Sequence, residues 1–304
     1  MAHRTAGDLS VGRDEGSTSR ISPIRRHPLL TYWISAFAIS WLGVFLVAGG
    51  PAGFPADAEQ RRTLLPAVVV AQAAGPIVAA LLVSVIVDGR AGLRGLLTRF
   101  LRWRTSLGPS AFALLTAPLV VLIVVLLFSL VVDGARPAIF TGEAVVPIVL
   151  SGVAAGLVAG LLEEPGWTGV ALPRLRARHG ILWSGLILGL IWGAWHLSVA
   201  LWGSGTSTGA FDLVVFASQL AFYFGVLPAY RILMAWVYAR GESLLVAMIM
   251  HGMLTATTTF ILTPAAVTAA QLAAFHLVLA AAVWAVAAAV LVATSAVAGN
   301  RKEE

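Results

Sequence analysis

Cysteine is absent from the 304 residues. That excludes disulfides, thiolate nucleophiles and thiolate-ligated zinc. Charge is scarce as well. Asp, Glu, Lys and Arg make up 11% of the chain, against about 25% in soluble domains. So few charges cannot solvate a water-soluble surface of this size. Lysine occurs once, at Lys302, and the other 19 of 20 basic residues are arginine. That skew reads as genome composition rather than chemistry. The chain has no H-E-x-x-H, no glycine-rich phosphate loop and no internal repeat. The last absence argues against the many carriers built from repeated halves.

What the chain has in abundance is apolar sequence: 59% hydrophobic residues and a mean hydropathy of +0.90. Several runs exceed the roughly 18 residues that mark a membrane-spanning helix. Eight spans are expected, near residues 30–47, 64–87, 111–132, 145–163, 181–202, 211–238, 244–262 and 267–297. The polar stretch before the first span reads as a disordered tail, too polar for a signal peptide, and that span lacks a small-residue cleavage site. Residues 88–108 carry Arg90, Arg94, Arg99, Arg102 and Arg104, with Leu93, Leu96, Leu97, Phe100 and Leu101 at helical spacing. This pattern predicts a basic amphipathic helix on the inner membrane surface. Arginines gather before the first span and after the second, fourth, sixth and eighth. By the positive-inside rule both termini are cytoplasmic. The expected fold class is therefore all-α, a polytopic transmembrane bundle, placed in a bacterial plasma membrane. Spans seven and eight, rich in Ala and Thr, are expected to face the bundle.

Twelve of the 14 acidic residues fall in tails, loops or at span ends. Glu163 and Glu164 do not, because apolar sequence continues on both sides of them. A carboxylate in hydrocarbon is costly and marks a functional site by default. Pro165 removes a backbone donor, so a kinked helix is expected to continue through Trp167 to about Leu175. The bland alternative is that both carboxylates simply end span four in water. His196 lies deep in span five, one turn after Trp192, and His251 lies within span seven, one turn before Thr255. Two histidines and a carboxylate pair can hold a water, make it nucleophilic and stabilise an oxyanion. Alternatively Glu163, His196 and His251 can hold Zn²⁺ with an open water position. Spacing does not decide between these, since three helices supply the residues. Arg231, His276 and Gln219 are read as structural, and Arg231 also as a partner for a buried carboxylate.

The runs Glu163-Glu164-Pro-Gly-Trp-Thr168, Trp192-x-x-x-His196 and His251-x-x-x-Thr255 resemble the three motifs of the CPBP family. This is the Rce1-like or ABI group of CAAX-processing and bacteriocin-processing intramembrane proteases, whose pattern is E-E-x-x-x-R, F-x-x-x-H and H-x-x-x-N. The resemblance implies a core over residues 144–262, preceded by a tail (1–28) and N-terminal spans (29–143) and followed by a last span and tail (263–304). It implies that Glu163 activates a water with help from His196. His251 and Thr255 stabilise the oxyanion, and Glu164 orients position 168. Zinc stays open as a cofactor. The implied partners are the bilayer and a membrane-associated protein or peptide substrate; nucleic acid is not expected. Thr168 stands where the pattern has Arg, and Thr255 where it has Asn. Arg174 or Arg231 is the candidate replacement for the missing guanidinium. Rival readings are a weakened or inactive relative acting as an immunity or scaffold protein, and a proton-coupled transporter.

Overall fold

The computed structural model describes residues 23–142 and 144–300. The expected tail up to residue 22, Glu143 and the last four residues lie outside these. Eight helices are long and apolar enough to cross a membrane: α1 Pro28–Val47, α2 Ala58–Phe100, α3 Leu107–Phe128, α4 Val145–Arg176, α5 Ile181–Gly203, α6 Leu213–Gly241, α7 Leu244–Ile261 and α8 Ala269–Ser295. No strand forms among the described residues. The result is the expected all-α multi-pass bundle.

Helices start where the sequence offers a cap. Asp57 accepts from Gln60 N at 2.8 Å while Gln60 Oε1 accepts from Asp57 N at 3.0 Å, a reciprocal pair that satisfies two orphan donors of α2. Asp212 caps α6 through Val214 N and Val215 N. Ser243 caps α7 through Val246 N. Within α2 the chain turns at Gly89, where φ is +59°, a value that glycine adopts without strain. The basic segment Gly89–Phe100 sets off from that turn as a helix of its own.

The main pairings are α1 with α2, α4 with α7, and α5 with α6. Two of them rest on glycine ridges at four-residue spacing. On α4, a Cβ at Gly156 would stand 2.6 Å from Gly252 O, and one at Gly160 would stand 2.7 Å from Met248 O. On α5, a Cβ at Gly185 would stand 2.5 Å from Ile232 Cα, and one at Gly189 2.5 Å from Pro228 Cα. Small residues let helix backbones touch in a membrane, where no hydrophobic force draws helices together. These two contacts set the distances between the polar groups at the centre.

Composition misleads at the last helix. Over half of the α7 window (56%) is buried, as expected, but only 22% of the α8 window is. Leu277 and Val292 of α8 are 60% and 69% exposed. The alanines of α8 are spread around the helix, with leucine and valine between them, so it presents a broad face outward.

The ends of the bundle differ in charge. One end joins the basic segments: Arg25 Nε bonds Ile86 O, Arg174 pairs with Asp88 at 2.7 Å, and Arg102 meets Gly241 and Glu242. The other end joins loops through the backbone, Ala56 N to Trp202 O and Ala138 N to Thr263 O. There Arg61 Nη1 clasps the carbonyls of Ala56, Gly205 and Thr206.

Candidate active site

Helix α4 runs from Val145 to Gly166, loosens into a π-helical turn over Trp167–Ala171, and resumes over Leu172–Arg176. It therefore continues past Glu163 and Glu164, as Pro165 and the apolar residues beyond it predict. Both carboxylates lie inside the bundle. The reading in which they end a span in water is excluded.

Glu164 is sealed; its side chain exposes 0% of its surface, as does that of Arg231 from α6. Arg231 Nη1 lies 3.0 and 2.9 Å from the two Glu164 oxygens, and Nη2 lies 3.1 Å from Oε1. Thr168, one turn along α4, donates its hydroxyl to Glu164 Oε2. His251 Nδ1 lies 2.8 Å from Glu164 Oε1. A carboxylate held by a guanidinium accepts, so Nδ1 of His251 carries the proton. Arg231 Nε has no hydrogen-bond partner. Its guanidinium carbon sits 4.0 Å from the centroid of the Trp192 ring, a cation–π contact in a dry site.

Glu163 is held differently. Its Oε2 accepts from Trp192 Nε1 at 3.0 Å and from Trp167 Nε1 at 3.3 Å, both neutral donors. His251 Nε2 stands 4.0 Å away. The Glu163 side chain keeps 8% exposure, so of the two carboxylates it is the less completely enclosed. His251 thus lies between them, Nδ1 toward the sealed carboxylate and Nε2 toward the less enclosed one.

His196 sits at a break in α5, between Ile181–Trp195 and Leu197–Gly203. Its backbone N bonds Gly193 O, a tightened turn, and its own Nδ1 lies 2.8 Å from Trp192 O. A carbonyl only accepts, so Nδ1 carries the proton and Nε2 offers a lone pair. Trp195 O accepts from Trp41 Nε1 and from Gln72 Nε2, which anchors the break to α1 and α2. The His196 ring stacks on Tyr223 of α6 at 4.4 Å and 17°. Trp192 lies between the histidines, 5.8 Å from His196 and 4.8 Å from His251 by ring centroids.

The structure thus brings Glu163, Glu164 and His251 together directly and joins His196 to them through Trp192. Thr255 is half-buried on the same face of α7 as His251, with no hydrogen bond to the cluster. Arg174 is spent on Asp88, so Arg231 is the residue that meets Glu164. His276 Nδ1 bonds Ser218 O, and Gln219 bonds Ala200 O and Ser204, the structural roles expected of both.

Among the described residues, no three His, Cys, Asp or Glu side chains converge as a metal would need. Glu163, His196 and His251 do not form a zinc ligand set in this arrangement.

Residues 144–257 match the family model described as type II CAAX prenyl endopeptidase Rce1-like. Over this segment the chain is similar to the Rce1-like family. No curated protein matches the chain. The Rce1-like segment spans α4 to most of α7 and contains Glu163, Glu164, His196, Arg231, His251 and Thr255. The chain is accordingly a multi-pass membrane protein with a segment similar to an endopeptidase family.

Sequence reasoning passed over Trp167, Tyr223 and the weight of Arg231. Trp167 had a signal, since it lies four residues after Glu163 and shares its helical face. Arg231 had a stronger one, as a lone cation inside an apolar run. Tyr223 had none, because its stacking on His196 joins two helices.

Proposed function

We propose that the Rce1-like segment hydrolyses a peptide bond of a membrane-associated protein or peptide, with the basic end of the bundle cytoplasmic and the site opening toward it. Glu163 takes a proton from a water, and the water oxygen attacks the scissile carbonyl. His196 Nε2 accepts the other water hydrogen and fixes the nucleophile. His251, anchored through Nδ1 on Glu164, faces the oxyanion with its Nε2 edge, and the Thr255 hydroxyl donates to it. Glu163 then returns its proton to the leaving nitrogen as the carbon–nitrogen bond breaks. The products are a free amine and a carboxylic acid, whose remaining water proton passes to the amine as the acid ionises. Every proton in this sequence moves between residues of the chain, water and substrate.

One observation carries the reading: His251 stands between a sealed, arginine-bound carboxylate at 2.8 Å and a second, less enclosed one at 4.0 Å. A positioned group of this kind contributes about 10²–10⁴ in rate. Purified protein in liposomes, offered a library of membrane-tethered peptides, should cleave at least one of them. Glu163→Gln and His251→Ala should each lower that rate by about 10² or more, and a chelator should leave it unchanged. Cleavage that survives both substitutions refutes the assignment. Loss with chelator restores the metal reading. A folded protein that cleaves nothing favours the relative that keeps the bundle without turnover, to which Thr255 without a bond to the cluster also points.

A further inference from the structure

At the basic end, three elements enclose an open groove of about 620 Å³. The Gly89–Phe100 helix supplies Gly95, Thr98 and Arg99, and Arg102 follows it. The end of α4 supplies Pro173, Arg176 and Ala177, and the end of α6 supplies Tyr238, with Glu242 just beyond. The volume falls in the usual range of small-molecule sites, about 300–1,000 Å³.

The charges facing this groove are unbalanced. Arg99 bonds only neutral groups, Gly95 O at 3.0 Å and the Tyr238 hydroxyl at 3.2 Å. Arg176 has no ion pair or side-chain hydrogen bond among the described residues. Arg102 meets Glu242 at 3.4 Å, a long contact with side chains 42% and 62% exposed. Such a pair holds little energy. Three guanidinium groups therefore face one carboxylate, which Arg102 already shares. A Cβ placed on Gly95 would meet nothing within 4 Å, so the groove is open in front of that backbone. At the same end of the bundle, Leu97, Leu101 and Trp103 are 56%, 60% and 67% exposed. Cationic planes at an end of the bundle that also bares leucine and an indole fit a ligand with an anionic head and an apolar body. Guanidinium groups bind phosphate oxygens in paired geometry. A basic pocket between spanning helices is a headgroup site by the same physics.

We propose that this groove binds the phosphodiester headgroup of an anionic phospholipid, held by Arg99 and Arg176. The site is separate from the Glu163–His251 cluster and does not depend on proteolysis.

The test uses the full chain in a neutral detergent, titrated with short-chain phosphatidylglycerol, with phosphatidylcholine of equal chain length, and with inorganic phosphate. Phosphatidylglycerol should bind more tightly than phosphatidylcholine, and inorganic phosphate should not displace it. Arg99→Gln with Arg176→Gln should weaken phosphatidylglycerol roughly thirtyfold, about fivefold for each arginine. Arg136→Gln, in the loop after α3 at the other end, should change nothing. Gly95→Leu, which fills the groove and keeps every cation, should also weaken binding, so the result does not hang on an arginine variant that fails to fold. Equal affinity in the double variant and in Gly95→Leu overturns the site. So does an equal loss in Arg136→Gln, which would mean diffuse attraction. Displacement by inorganic phosphate at the same concentration overturns the lipid and leaves a free-phosphate site.

Discussion

Arg231 and Glu164 at the centre of the bundle expose none of their side chains, whereas Arg102 and Glu242 at its basic end expose 42% and 62%. The two pairs have the same chemistry and opposite consequences. The central guanidinium reaches both carboxylate oxygens at 2.9–3.1 Å, and the carboxylate takes two further donors, Thr168 and His251. Water has no access there, so each partner depends on the others. At the rim a single contact at 3.4 Å competes with solvent. Burial, not the identity of the ions, decides which pair organises the molecule. The same contrast separates Glu164 from Glu163: one is saturated by charge, and the other is held by neutral indoles and keeps a little exposure.

The largest effect follows from breaking the central pair. Arg231→Leu leaves Glu164 buried without its guanidinium, with only Thr168 and His251 as donors, a change that costs about 3–5 kcal/mol. Thermal unfolding in detergent should shift strongly downward, and proteolysis should be lost with it. A second change sharpens the comparison. Position 168 is one turn from Glu164, so Arg231→Leu combined with Thr168→Arg moves the guanidinium to the other side of the same carboxylate. The leucine at 231 leaves room for it. The double variant should recover much of the stability lost in Arg231→Leu. No recovery would mean that the cation–π contact with Trp192, rather than the charge on Glu164, is what Arg231 supplies.

A smaller effect is expected from Thr168→Val, which is nearly isosteric and removes one donor from Glu164. Arg231 and His251 still satisfy the carboxylate, so the loss should be about 1 kcal/mol. Proteolysis should fall only modestly, because neither Glu163 nor His251 moves. A loss as large as that of Arg231→Leu would show that the hydroxyl, not the guanidinium, fixes the orientation of Glu164.

Much of this was legible in the sequence, and the unread parts have physical reasons. Apolar runs gave the eight spans because hydrocarbon allows few alternatives to a helix of that length. Glu163, Glu164, His196 and His251 stood out because polar groups inside such runs are costly. The path of α4 beyond Pro165 followed from Trp167 and Val170, which continue the apolar face. Partnership across helices was harder to read. Arg231 lies 67 residues from Glu164 in sequence, and nothing local says that it rather than Arg174 makes the pair. The Gly156 and Gly160 ridge that draws α7 against α4 was present as G-x-x-x-G spacing and went unread. Alanine content misjudged α8, because alanine suits both a packed and a lipid-facing surface.

The smallest expected effect is at the rim, where it defines the other side of the comparison. Glu242→Gln removes the carboxylate from the Arg102 pair and leaves the groove with three uncompensated cations. Stability should change by less than about 1 kcal/mol, since exposed pairs are worth little and are screened by salt. Affinity for phosphatidylglycerol should rise slightly, because the one negative charge lining the groove is gone. Both signs matter. A marked loss of stability would make the rim pair structural like the central one, and burial would no longer separate them. A fall in lipid affinity would mean that Glu242 positions Arg102 for the ligand rather than competing with it.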